Sequence, residues 1–155
     1  MLAKWAPNAE TFLRLMATNA LAAEPPIGFT GDVVMEKDGK EKFVDIKKYG
    51  IRIFVDVARI MSLAHGVASA STRTRFIEAG EKFGMSKLDI SAALQAMSEL
   101  QRLRLTHQHL AIVSGKTPDN HLHPDELSTY DEAVLREGLK QAKRLQQRLK
   151  LTYQI

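Results

Sequence analysis

This sequence predicts an all-α fold, an antiparallel helical bundle with one β-hairpin appended, and three observations carry that expectation. Apolar residues recur at three- and four-residue spacing in separate segments along the chain, the period of helices that bury one face. Only one stretch, from Asp32 to Lys47, changes to strand-like composition, and it centres on Asp38-Gly39. A lone hairpin is not a stable sheet, so it must lie against the helices.

The first helix begins near Pro7-Asn8 and carries Phe12, Leu13, Leu15, Met16, Ala20 and Leu21 as its stripe. Pro25-Pro26 ends it, because each ring removes a donor and restricts the residue before it. Asp32–Lys37 and Lys42–Lys47 then form the hairpin around Asp38-Gly39, which suits a turn needing positive φ. A second helix runs from Ile53 to His65 and closes at Gly66. It is apolar almost all round, which predicts a central, buried position. Ser71 or Thr72 caps a third helix that stops near Gly84, with Phe76, Ile77 and Phe83 facing inward. Ser86 with Asp89 makes a capping-box start for a long fourth helix reaching Gly115. Lys116–His123 is a polar loop, followed by a short turn at Pro124–Leu127. Ser128 with Asp131, or Thr129 with Glu132, caps the final helix, which ends near Leu151. Its stripe is Tyr130, Val134, Leu145 and Leu149, supported by Leu135, Leu139 and Ala142. Gly138 in the middle of that helix costs about 1 kcal/mol relative to Ala, so close approach of another helix is expected there.

The length of 155 residues fits one domain spanning the whole chain, expected to be the C-terminal part of a longer protein. The absence of cysteine excludes disulfides, thiolate metal sites and cysteine nucleophiles, and suits a cytoplasmic location. Met1–Ala23 is interrupted by Glu10 and Arg14 and lacks the apolar core of a signal peptide. Ile53–Ala70 contains Asp56, Arg59 and His65, so no membrane association is expected. The net charge of +4 gathers late, at Arg136, Lys140, Lys143, Arg144, Arg148 and Lys150. Without interleaved aromatics this reads as a solvated helix face, not a nucleic-acid surface.

Catalytic signatures are missing. There is no P-loop, no GxGxxG and no Gly-x-Ser-x-Gly elbow. A polymerase-type nucleotidyltransferase needs a Gly-Ser turn followed by paired carboxylates that hold metal ions, and none is present. His107 and His109 diverge by about 200° on a helix and cannot share a metal. His121 and His123, with Asp119 nearby, read as bystanders, so neither catalytic residues nor metal ligands are assigned. Arg102 and His107 have the Arg-x4-His spacing of HEPN ribonucleases, but helical geometry sets them about 140° apart. Polar residues among apolar neighbours remain: Asp56 and Arg59 on the second helix, Arg104, His107 and Gln108 on the fourth, and Asp45 and Lys47 at the end of the second strand. One reading is an internal network that fixes helix register, since buried charges must be paired. The other is a polar lining for a groove that receives a nucleotide or a partner.

At these residues the chain resembles a known family. Pro25-Pro-Ile-Gly-Phe, Val44-Asp-Ile-Lys, Val55-Asp-Val-Ala-Arg, Thr72-x-x-Arg75-Phe76, Leu103-Arg-Leu-Thr-His-Gln and Pro124-x-x-Leu127-Ser occur in this order. Together they look like the nucleotidyltransferase substrate-binding domain of bacterial signal-transduction proteins that also carry cyclic-nucleotide-binding, CBS and nucleotidyltransferase modules. The resemblance extends from about Asn8 to Tyr153. It implies a bundle similar to the C-terminal domain of kanamycin nucleotidyltransferase and kinship with protein uridylyltransferases. It also implies that the catalytic acids, Mg²⁺ and the nucleoside triphosphate belong to an adjacent nucleotidyltransferase domain, with no cofactor in this chain. A signalling protein is the implied substrate. Asp45, Lys47, Asp56, Arg59, Arg75, Arg104, His107 and Gln108 are the positions the resemblance implies for a substrate-binding or structural polar network. The alternatives are a protein-interaction or homodimerising module and a HEPN-like ribonuclease.

Overall fold

A computed structural model describes residues 9–155. The helices are α1 (Glu10–Ala20), α2 (Arg52–Ala64), α3 (Thr72–Ala79), α4 (Lys87–Val113) and α5 (Thr129–Tyr153). Between α1 and α2 stand strands β1 (Glu36–Asp38) and β2 (Glu41–Asp45), then a π-helical turn (Lys47–Ile51). Strand β3 (His121–Leu122) and a 3-10 turn (Pro124–Glu126) link α4 to α5. The predicted class holds: a helical bundle with a small antiparallel sheet. The beginning expected at Pro7-Asn8 lies outside the described residues. Among the described residues no helix is long and apolar enough to cross a membrane.

Local signals act where the sequence places them. Ser71, Ser86 and Ser128 each accept a hydrogen bond from the backbone N–H three residues on, and Asp89 completes the capping box on α4. Gly66, at φ 69°, closes α2. The hairpin is shorter than expected, with Asp38 opposite Glu41, so Gly39-Lys40 forms its two-residue turn with Gly39 at φ 63°. Its second strand ends at Asp45, not Lys47, because the chain winds directly into the π-helical turn. β3 was expected to be loop. It pairs Val44 with Leu122 and Asp45 with His121, making a third strand too short to leave a period in sequence.

α2 is central, with Phe54, Val57, Ala58 and Met61 fully buried. It packs against α1, α3 and α5, as its composition predicts. Leu100 on α4, Leu139 on α5 and Phe76 on α3 join the same core. Four inward assignments are corrected: Phe12 (42%), Leu15 (65%), Ile77 (52%) and Tyr130 (69%) are all exposed. α3 ends at Ala79, earlier than expected, so Ile77 lies on its outer side.

The basic side of α5 is not the solvated face its charge run suggested. Residues 21–35 run past it without regular structure, apart from an isolated pairing of Ile27 with Val33, and their carbonyls need donors. Gln146 Nε2 donates to the carbonyls of Ala20 (3.1 Å) and Ala23 (2.8 Å), and Lys143 Nζ to that of Ile27 (3.4 Å). Lys150 pairs with Glu24 at 3.2 Å, while Arg148 donates to the Gly84 carbonyl and pairs with Asp89. Lys143 and Lys150 thus hold the proline segment against the bundle, while Arg148 ties α5 to the start of α4.

Candidate functional site

The site forms where the C-terminal half of α4 meets the sheet. Asp45 ends β2 and accepts a hydrogen bond from the Lys48 N–H at 2.9 Å, so it caps the π-helical turn that follows. Across the sheet, residues 119–121 descend beside β2, and the Asn120 carbonyl accepts from the Ile46 N–H at 3.0 Å. α4 turns Arg104, His107 and Gln108 towards this loop, since positions three and four apart share a helix face.

The resulting network is dense. Asn120 Oδ1 accepts from Arg104 Nε at 2.7 Å and from Gln108 Nε2 at 3.2 Å. Asp119 Oδ1 accepts from the His121 N–H at 3.0 Å and lies 2.8 Å from His107 Nε2. The His121 ring stacks on Phe43 with centroids 4.2 Å apart, and its Nε2 is 4.0 Å from Asp45. Arg104 engages only Nε; its terminal nitrogens donate to no side chain or carbonyl among the described residues.

Burial acts to raise the pKa of Asp119, but hydrogen bonds from His107 and the His121 N–H and the nearby imidazoles outweigh it and lower the value. A carboxylate depressed in the folded state contributes stability above its unfolded pKa, about 3.9, and loses it as pH falls through the lower folded value. Thermal melts over an acid pH series are therefore expected to show a decline in stability below that point. Asp119→Asn should flatten it; an unchanged acid limb would show that this clamp contributes nothing.

Four of the eight sequence-named positions, Asp45, Arg104, His107 and Gln108, thus meet around one loop. The other four do not join them. Lys47 is exposed at the start of the π-helical turn. Asp56 pairs with Arg59 at 3.8 Å and Arg52 at 3.5 Å along the outer strip of α2, so this pair is not embedded as its apolar neighbours in sequence suggested. Arg75 donates from Nε to the Ser69 carbonyl at 2.6 Å and holds the segment before α3. Arg102 and His107 are likewise drawn apart: Arg102 pairs with Glu99 and Asp131, both at 2.9 Å, while His107 turns to Asp119. Asn120 and Phe43 were missed. The one available signal was the polar run Asp119-Asn120-His121 beside residues already under suspicion.

Among the described residues no group of three or more His, Asp or Glu is placed to hold a metal ion. Asp45 and Asp119 are already engaged with backbone N–H groups and imidazoles, so these carboxylates do not fit a catalytic metal pair. A concavity of about 620 Å³ lies elsewhere, between α3 and the N-terminal half of α4, and contains none of the eight positions.

The model of one protein family, described as the putative nucleotidyltransferase substrate binding domain, matches residues 10–153. No curated protein and no solved structure gives a match.

Proposed function

The chain belongs to the nucleotidyltransferase substrate binding domain family, and from that premise we propose that it is a substrate-binding module that acts beside a nucleotidyltransferase domain without performing transfer itself. The observation that supports this most is the convergence of Arg104, His107 and Gln108 on Asp119–His121, with no partner for the Arg104 terminal nitrogens among the described residues. A guanidinium fork beside two imidazoles suits an anionic group on a substrate. In this reading Mg²⁺ and the nucleoside triphosphate are held by the neighbouring domain. The acceptor is a signalling protein, as in protein uridylyltransferases, in the bacterial cytoplasm.

Two measurements test it. Incubated with Mg²⁺ and each nucleoside triphosphate, the purified chain is expected to transfer no nucleotidyl group; turnover by a clean preparation refutes the non-catalytic assignment. In an amide NMR titration with the same nucleotides, Asn120 and His121 are expected to shift, and Arg104→Ala to abolish the response. Silence at millimolar ligand, or shifts confined to another face, would remove this cluster as the anion-binding site.

A second reading, an interaction module, has its own support. Leu105, Leu110, Ile112 and Val113 are all more than half exposed on the last turns of α4, beyond its final buried residue Leu103. An apolar set of this kind marks a contact surface.

A further inference from the structure

The groove between α3 and α4 carries a charge pattern that matches itself. One wall presents Arg73 and Ile77 on α3 and Glu81 in the turn that follows it, all exposed. Its α4 wall presents Lys87, the half-buried Leu94 and Glu99. Residues 80–86 join the two walls at one end, so Glu81 and Lys87 sit at that end, and Arg73 and Glu99 at the other. Arg73 and Glu81 have no ion-pair partner among the described residues. They stand at opposite ends of this wall, Arg73 in the first turn of α3 and Glu81 beyond the last, and form no ion pair with each other.

We propose that this groove is the isologous interface of a homodimer, with the two α3 helices antiparallel across it. A two-fold axis running across the groove lays Arg73 of one copy on Glu81 of the partner subunit, and the reverse. The same axis sets Ile77 against its own counterpart, which removes a half-exposed apolar side chain from water. On the α4 wall it brings Lys87 opposite the second copy's Glu99. That contact is the weaker one, since Glu99 is already held by Arg102. Arg73 on α3 and Glu81 just after it therefore set the register, and the opposed order of signs rejects a parallel arrangement.

Charge exchange within one chain tests this directly. Sedimentation equilibrium of the full chain is expected to show a reversible dimer that weakens with salt. Arg73→Glu and Glu81→Arg should each weaken it by about tenfold, the scale of one mispaired interfacial charge. The double variant should restore wild-type affinity, because each copy then offers Glu at 73 to Arg at 81 of the other. Ile77→Asp should give a monomer with unchanged helical circular dichroism, as the side chain is outside the core. A wild type that stays monomeric overturns the proposal and leaves the groove to another partner. So does a dimer indifferent to the single exchanges, or one that the double exchange weakens further.

Discussion

Replacing Gly138 by alanine is expected to destabilise the protein by about 1–3 kcal/mol, although alanine is the better helix former by about 1 kcal/mol. A Cβ at Gly138 would lie 2.6 Å from Leu100 Cδ2 and 2.7 Å from its Cγ. Leu100 is fully buried and has nowhere to retreat, because on its other side a Cβ at Gly50 would be 3.2 Å from Cδ1. The leucine of α4 thus sits between two glycines, one on α5 and one on the π-helical turn. For a chain of this size the loss corresponds to a fall in melting temperature of about 2–4 °C per kcal/mol. Leu100→Ala alone should cost about 2–5 kcal/mol through the cavity it leaves. The double variant should cost less than the sum, since each change relieves the other. If Gly138→Ala melted higher than wild type, helix propensity would have won and the close crossing would be wrong.

Gln146→Met is expected to cost about 1–3 kcal/mol, the penalty for leaving buried acceptors without a donor. Methionine keeps the length and adds no cavity, so the change isolates hydrogen bonding from packing. Gln146 is 3% exposed, and its amide is the donor for the carbonyls of both Ala20 and Ala23. One is the last carbonyl of α1 and the other lies in the irregular run before Pro25-Pro26, so neither has a helix or sheet partner. Loss of the amide should therefore loosen residues 21–35 selectively. Protease cleavage in that segment, faster than cleavage elsewhere and out of proportion to the change in global stability, is the readout. Uniform protection would show that water or neighbouring lysines replace the amide without cost.

Much of this was readable along the chain because its causes are local. A serine three residues before an acid caps a helix wherever that pair occurs, and Ser86 with Asp89 does so on α4. The helical period of α2 and its broad apolar surface predicted its burial. At the site, Arg104, His107 and Gln108 stand at positions that share one helix face, among Leu100, Leu103 and Leu105, and Asp45 is the acid ending a strand. What they touch was not readable. Asn120 lies twelve or more residues from its α4 partners and carries no pattern of its own, yet it receives both Arg104 and Gln108. Ile77 and Tyr130 were assigned inward by period alone, and the period cannot tell which side of a short helix finds a neighbour.

The helices, their caps, the hairpin, the central place of α2 and the need for close contact at Gly138 are written in the order of residues along the chain. Each follows from interactions within a few residues or from one apolar period. Three outcomes emerge from packing alone: Lys143 and Lys150 of α5 hold the proline segment, Asp56 and Arg59 face outward, and residues 119–121 gather the polar face of α4 onto the sheet. Those outcomes depend on which donor reaches which carbonyl across tens of residues, and such distances exist only once the chain has closed around its core.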